Sequence, residues 1–261
     1  MFISQYKPTA APCNTDFVIA LQGSRLWGSG PLRRHELPIT WTIAHQVFLG
    51  TWNEEPLWGI SIAEEETSQA LLSWNEIRSF VPVWDAAHFH CASFAKHILW
   101  WHGQYRFCPR CGTALENSTK ERAKTCSQCD NTIYPVIAPA IIVAVQRAGK
   151  LLLAHNRNFA GTRHSVIAGF VEAGETLEQT VAREVREEVG LQIRNIHYVT
   201  SQAWAFPNSL MLGFTAEWAS GDICVDGEEI DHADWYGAED LPDLPPPGSI
   251  SRQLISLALG V

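Results

Sequence analysis

Four cysteines are arranged in two short pairs, Cys108 and Cys111 in CPRC and Cys126 and Cys129 in CSQC, with 14 residues between the pairs. Thiolates at this spacing can close a tetrahedron around Zn²⁺ and leave no open position for water, so the site they predict is structural. A second concentration of ligands lies in GFVEAGETLEQTVAREVREEVGL, Gly169 to Leu191, where Glu172, Glu175, Glu178, Glu184, Glu187 and Glu188 meet few cations. Hard divalent ions such as Mg²⁺ or Mn²⁺ prefer carboxylate oxygen and turn clustered negative charge into a binding site. Ions held this way with open water positions suit polyphosphates, because they neutralise phosphate oxygens and lower the pKa of an attacking water.

The acidic ligands need an element to hold them, and the sequence supplies a helix. Thr176 can cap its start with Gln179 three residues on, and Gly190 can end it, which predicts a helix from Leu177 to Val189. Leu177, Val181, Val185 and Val189 recur every four residues and give it one apolar stripe. Glu184, Glu187 and Glu188 then fall on another side, where like charges at these spacings repel by roughly 0.2–0.5 kcal/mol per pair in water. Arg183 and Arg186 are the nearby cations. Arg183 is better placed to buttress one carboxylate than to neutralise all of them.

Around these two sites the chain divides into three parts. Residues 1–102 mix short alternating runs such as DFVIAL and EPLWGISIA with turn residues, the pattern of a β-rich unit. Its tryptophans, Trp27, Trp41, Trp52, Trp58, Trp74 and Trp84, are expected in the core or an interface. The stretch AAHFHCASFAKHILWWHG reads as a connecting helix, with Phe89, Phe94, Ile98 and Trp101 on one face and Gly103 as its stop. His88, His90, His97 and His102 lie on or beside it with nothing to place them around one metal. Residues 103–133 hold the cysteine pairs together with Arg106, Arg110, Lys120, Arg122 and Lys124, a basic group open to contact with nucleic acid or solvent.

Residues 134–261 open on AIIVAV, a β-branched run typical of a buried strand, followed by a turn at AGK and a second strand, LLLAHN. IHYVTSQAW and LMLGFTAEW continue the strands, and SISRQLISLAL reads as a closing helix. Strands with two helices well separated in sequence predict a layered α/β domain. The sequence reveals no internal repeat. A net charge of −9 argues against a surface that binds nucleic acid throughout. The absence of a long apolar run argues against a membrane span. With seven cysteines, an odd number, and no secretory layout at the N-terminus, the expected compartment is the cytoplasm.

Gly169, five residues, Glu175, seven residues, then Arg183-Glu184-Val185-Arg186-Glu187-Glu188-Val189-Gly190-Leu191 resembles a complete Nudix box. SQAWAFPNS, Ser201 to Ser209, resembles the signature SQPWPFPxS that separates the NADH pyrophosphatases within that superfamily. A zinc ribbon directly before the Nudix part and a β-rich unit before that are also similar to this subfamily. The resemblance implies an α/β/α sandwich and metal-dependent hydrolysis of the pyrophosphate of NADH or NAD⁺ to nicotinamide mononucleotide and AMP. In bacterial members it also implies removal of NAD caps from RNA.

Carried over residue by residue, the resemblance implies that Glu184 and Glu188 bind the catalytic Mg²⁺ or Mn²⁺ and that Glu188 serves as the base or water-positioning carboxylate. Glu187 joins the same cluster, Glu229 in DGEEIDHADWY adds a further carboxylate, and Ala168 offers its backbone carbonyl. Phe170 and Tyr134 correspond to aromatic residues that sandwich the nicotinamide. Glu121, Arg78 and Ser251 correspond to substrate contacts, as do Gln202, Ala203, Trp204, Ala205, Phe206, Pro207, Asn208 and Ser209 of the signature. Ala203 and Ala205 stand where the family has prolines, which implies a loop less preorganised for discrimination among dinucleotides. The family also implies a homodimer in which one copy completes its partner's pocket. Two other readings stay open: a broader hydrolase of ADP-ribose or diadenosine polyphosphates, and a zinc-ribbon regulator whose Nudix part senses a nucleotide.

Overall fold

Alternation in the N-terminal third does what its period requires, placing successive residues on opposite faces of one sheet. The computed structural model describes residues 1–8, 10–38, 41–63, 74–158 and 161–261. Seven strands form this sheet: β1 (Phe2–Ser4), β2 (Phe17–Gln22), β3 (Arg25–Trp27), β4 (Leu32–Arg33), β5 (Ile43–Trp52), β6 (Glu55–Ile62) and β7 (Trp74–Glu76). Their order is β1-β5-β6-β2-β3-β7, with β4 also on β2 and with β2 parallel to β6. Ile19 and Leu21 pack with Ala92, Ala95 and Ile98 of helix α1 (Ala86–Gln104). Val18 and Ala20 face the other way, toward Trp58 and Trp74, and Trp27, Trp41 and Trp74 meet edge-on or stacked. The tryptophans are core material, as their types suggested.

Helix α1 begins at Asp85, whose carboxylate accepts from the His88 amide, and it runs past Gly103 to Gln104. The glycine does not stop it. The end is fixed from outside, because the Lys124 ammonium donates to the carbonyls of His102 and Tyr105 at 3.0 and 2.7 Å, satisfying acceptors that a helix leaves open at its C-terminus. The four histidines go separate ways: His88 bonds Asp85, His97 bonds the Val136 carbonyl, His90 meets Phe2 edge-on, and His102 lies half-buried beside Trp101.

The cysteine pairs sit on a small sheet of β8 (Leu115–Asn117), β9 (Lys124–Cys126) and β10 (Thr132–Ile133). The two knuckles repeat each other bond for bond. The amides of Cys108 and Cys126 donate to the carbonyls of Thr113 and Asn131, and those of Gly112 and Asp130 donate back to Cys108 and Cys126. Gly112 and Asp130 hold the left-handed φ that each turn needs, +76° and +55°. Residues Met1–Val136 together with Ala205–Asn208 form one compact unit, and Ile137–Trp204 with Ser209–Val261 form the other.

In the second unit β11 (Ala138–Arg147) is the centre, and Ala140 to Val145 are buried at every position. It pairs antiparallel with β12 (Lys150–Asn156) and β13 (Ile167–Phe170). After helix α2 (Leu177–Val189), the hairpin of β14 (Gln192–Trp204) and β15 (Ser209–Ser220) returns and lays β15 parallel to β11. Strand β16 (Ile230–Tyr236) closes the sheet against β12, and α3 (Ile250–Leu259) follows. Odd residues of β11 (Ile141, Val143, Val145) pack with Val181, Val185 and Val189 of α2; even ones (Ile142, Ala144) pack with Ile250, Leu254 and Ile255 of α3. This is the expected α/β/α sandwich.

The two sheets share one topology. Strands β2, β3, β4, β5, β6 and β7 pair with the same partners and directions as β11, β12, β13, β14, β15 and β16, and α1 follows the last strand as α3 does. No repeat is visible in the sequence, yet one is present in the fold. The difference lies where α2 belongs: the described residues between β4 and β5 hold only a three-residue 3-10 turn, Arg34–Glu36.

Candidate active site

Helix α2 forms with the predicted bounds and caps. Thr176 accepts from the Gln179 amide, Gln179 reaches back to Thr176, and Gly190 takes the left-handed conformation at φ +74°. Its apolar stripe drives the helix onto the sheet, and this carries Glu184 and Glu188 with it. Glu188 is only 7% exposed, whereas the Glu187 side chain is 54% exposed. The carboxylates therefore do not share one solvated face.

Arg183 organises the entrance to the helix. Its guanidinium donates to both oxygens of Glu175 at 2.6 and 3.0 Å, to Glu184 at 2.8 Å, to Glu187 at 3.1 Å and to the Phe170 carbonyl at 2.9 Å. Glu175 also accepts from the Glu172 amide and the Thr180 hydroxyl. These donors, Arg183 foremost, hold the Glu175 carboxyl down at about 2. The buttress anticipated from sequence is real and spans the loop, the helix and the end of β13.

Arg183 is thereby spent, and among the described residues no cation pairs with Glu188. Burial first, and then Glu184, Glu229, Asp226 and Glu187, push its carboxyl up to about 8. Burial also raises Glu184. A buried carboxylate among four others is a costly arrangement until a cation joins it, and oxygen donors of this kind fit Mg²⁺ or Mn²⁺. Gly169 of β13 lies directly against Glu184, and its neighbour Ala168 pairs with Ile142 of β11.

Glu229 reaches this group through a loop whose anchor the sequence reading missed. The Asp226 carboxylate accepts from the amides of Glu228, Glu229 and Ile230 at 2.9 to 3.2 Å. The amides of Asp226 and Cys224 donate to the carbonyls of Glu188 and Val189, closing the C-terminus of α2. Asp-Gly at 226 and 227 was the available signal for such a turn.

The other candidates are distributed between the two units. Phe170 exposes its ring, 57% accessible, at the end of β13. In the first unit Tyr134 is 53% exposed and donates to Glu121 at 2.9 Å, and the Arg78 guanidinium lies 4.4 Å from the Phe206 ring centroid. Within the signature, the Gln202 side chain bridges the Gly248 carbonyl and the Ile250 amide at the start of α3, and Asn208 donates to the Val136 carbonyl. Ala203 and Trp204 pair with Leu210 and Ser209, Ala205 is buried, and the Phe206–Pro207 bond is cis. The Ser251 hydroxyl is buried and bonded to that of Ser165 at 2.7 Å.

Around the cysteines, sulfur–sulfur separations of 3.4, 3.5 and 3.7 Å match the edge of roughly 3.8 Å that a tetrahedral Zn²⁺ with ~2.3 Å bonds requires. All four Sγ atoms lie within 4.8 Å of one another, a closeness found among the described residues only for these cysteines. The basic group beside them is not a uniform surface. Arg122 is half-buried, and its partial loss of solvent pulls its guanidinium down to about 10; it donates to the carbonyls of Gln5, Phe48 and Leu49. With Lys124 occupied on α1, only Arg106, Arg110 and Lys120 of that group remain exposed.

Comparison with known proteins bears on the whole chain. Residues 136–256 match the family described as NUDIX domain, residues 104–134 the NADH pyrophosphatase zinc ribbon domain, and residues 20–101 the NADH pyrophosphatase-like rudimentary NUDIX domain. A protein of Shigella flexneri named NAD-capped RNA hydrolase NudC is 44% identical over 207 residues, 79% of this chain and 78% of that one. The chain belongs to the Nudix family, in its NADH pyrophosphatase branch. A second Nudix relative of the same name, from Pseudomonas aeruginosa (strain LESB58), is 42% identical over 87% of this chain and 80% of its own length. A crystal structure of a NUDIX hydrolase from Nitrosomonas europaea shares 23% identity at a TM-score of 0.43, covering 52% of this chain and 80% of that one. The rudimentary Nudix match explains the repeated topology: the first unit keeps the Nudix sheet, and its described residues hold no helix in the place of the box helix.

Proposed function

We propose that this chain hydrolyses the pyrophosphate of NADH and NAD⁺ to nicotinamide mononucleotide and AMP, and removes NAD caps from RNA 5′ ends to leave a 5′-monophosphate. The observation that carries the reading is Glu188, buried among Glu184, Glu187, Asp226 and Glu229 with Arg183 committed elsewhere. The relatives' names supply the substrate class.

Glu184, Glu188, Glu229 and the Ala168 carbonyl would hold Mg²⁺ or Mn²⁺, whose chemistry is to neutralise phosphate oxygens and acidify a bound water. Glu188 would orient the attacking water and take its proton as the oxygen bonds to phosphorus. The bridging P–O bond breaks, and its electron pair leaves with the departing phosphate. Glu187 adds to the field at the same place. Arg183 holds Glu184 to Glu175 and the Phe170 carbonyl, so the ligands are oriented before substrate arrives. Phe170 and Tyr134 stack on the nicotinamide, Glu121 steadies Tyr134, and Arg78 and residues 202–209 contact the rest of the dinucleotide. Ser251 contributes from the start of α3 through its backbone, its hydroxyl being engaged with Ser165.

The active form is a homodimer in the cytoplasm, with the zinc ribbon and N-terminal unit of one copy completing its partner's pocket. No helix among the described residues is long and apolar enough to cross a membrane. Ala203 and Ala205 favour a second reading, in which ADP-ribose or diadenosine polyphosphates are turned over as well. Purified protein offered NADH, NAD⁺, ADP-ribose and diadenosine tetraphosphate with Mg²⁺ or Mn²⁺ should cleave NADH fastest. Glu188→Gln should lose at least about 10²-fold in turnover while still binding substrate. Wild-type turnover by that variant with metal bound would refute the mechanism, and faster cleavage of ADP-ribose would move the substrate assignment to the second reading.

A further inference from the structure

Lys96 lies in the middle of α1, is 8% exposed, and makes no ion pair or hydrogen bond among the described residues. Its ammonium stands 4.9 Å from the centroid of the Phe206 ring, and the Arg78 guanidinium lies 4.4 Å from the same centroid. Two cations thus share one aromatic ring within the first unit. Contact with a ring face is worth about 0.5–2 kcal/mol per cation, less than it costs to bury one ammonium beside a second positive charge. Burial first, and then Arg78, push the Lys96 ammonium down, and Glu76 is the acid that acts against them. Glu76 is itself exposed and accepts from the Ser24 hydroxyl.

We propose that Lys96 and Arg78 form a phosphate-binding pair at the rim of Phe206, and that Lys96 is a substrate-binding residue of this enzyme. The inference rests on the dinucleotide reading above, because Phe206 belongs to the signature hairpin and the anion it implies is a phosphate of the substrate. An ammonium and a guanidinium presented together give a phosphate group charge-assisted donors from two directions. An incoming anion also removes the repulsion that the two cations now bear. Two sources share this chemistry: the dinucleotide's own pyrophosphate, or the first phosphate of an RNA chain behind the cap.

The test compares wild type, Lys96→Met, Lys96→Arg and Arg78→Met in steady-state hydrolysis of NADH and of an NAD-capped oligoribonucleotide, with calorimetric titration of AMP and inorganic pyrophosphate alongside. Loss of one charge-assisted contact should raise KM about tenfold in Lys96→Met with kcat nearly held. Lys96→Arg should recover most of the loss. The melting temperature of Lys96→Met should not fall, since a buried unpaired charge is removed. A KM effect on both substrates assigns the site to the pyrophosphate; an effect on capped RNA alone assigns it to the RNA chain. Unchanged KM and unchanged AMP and pyrophosphate affinity in both Lys96→Met and Arg78→Met would overturn the proposal while leaving NADH hydrolysis intact. If neither substrate is cleaved but pyrophosphate affinity still drops in the variants, the anion site stands and the dinucleotide reading falls.

Discussion

A β-carbon placed on Gly169 would stand 1.9 Å from Cδ of Glu184. Any side chain at position 169 therefore requires the Glu184 carboxyl, a proposed metal ligand, to move. Gly169→Ala should displace the Glu184 carboxyl and lower turnover by about 10²-fold, with an overpacking cost of ~1–3 kcal/mol in stability. Parallel measurement of kcat and the urea midpoint separates the two effects. Near-normal turnover would mean that Glu184 does not have to sit where it does.

Glu175 and Arg183 give a pH signature. The folded-state carboxyl of Glu175 is depressed to about 2 from the ordinary glutamate value of 4.5, so its contribution to stability is fully present above that ordinary value. It is lost as the pH falls toward 2. Arg183→Ala should be less stable than wild type at pH 6, and the gap between their urea midpoints should narrow below pH 4.5 and close only as the pH falls to about 2. A gap of constant size would place the role of Arg183 in packing.

Removal of zinc should affect the ribbon selectively. Its sheet has strands of two and three residues, too little apolar surface to stand unaided. Metal analysis should find about one Zn²⁺ per chain, as a closed four-thiolate site requires. Cys111→Ser or a strong chelator should expose the amides of residues 105–134 to hydrogen exchange. Full protection in zinc-free protein would contradict the site.

Ala203 and Ala205 can be restored to proline singly and together. Proline would narrow the unfolded ensemble of the hairpin, and each compatible replacement should stabilise by ~0.4–1 kcal/mol. The double variant should favour NADH over ADP-ribose more strongly than the parent does. An unchanged preference would detach specificity from the stiffness of this loop.

What was legible in the sequence followed from local signals. Thr176, Gln179 and Gly190 cap α2 at the predicted residues because capping chemistry is local, and AIIVAV is buried at every position because a strand covered on both faces needs apolar residues throughout. Burial of long polar side chains was not legible. Arg122 and Lys124 looked like surface charge beside the cysteines, yet they bind the carbonyls of Gln5, Phe48, Leu49, His102 and Tyr105, groups that only tertiary folding brings to them. Asp226 escaped notice for the same reason, since its amide finds Glu188 across the fold. The repeated sheet was hidden because the element that carries the family's sequence signal, the box helix, has no counterpart among the described residues of the first unit.

That missing helix has an architectural consequence. The first unit keeps the strand order and the closing helix with only a 3-10 turn among the described residues between β4 and β5, so the sheet does not depend on α2 for its form. The box helix is then a removable cartridge set into a frame that holds its form without it: the second unit carries the cartridge, and the described residues of the first show the frame alone.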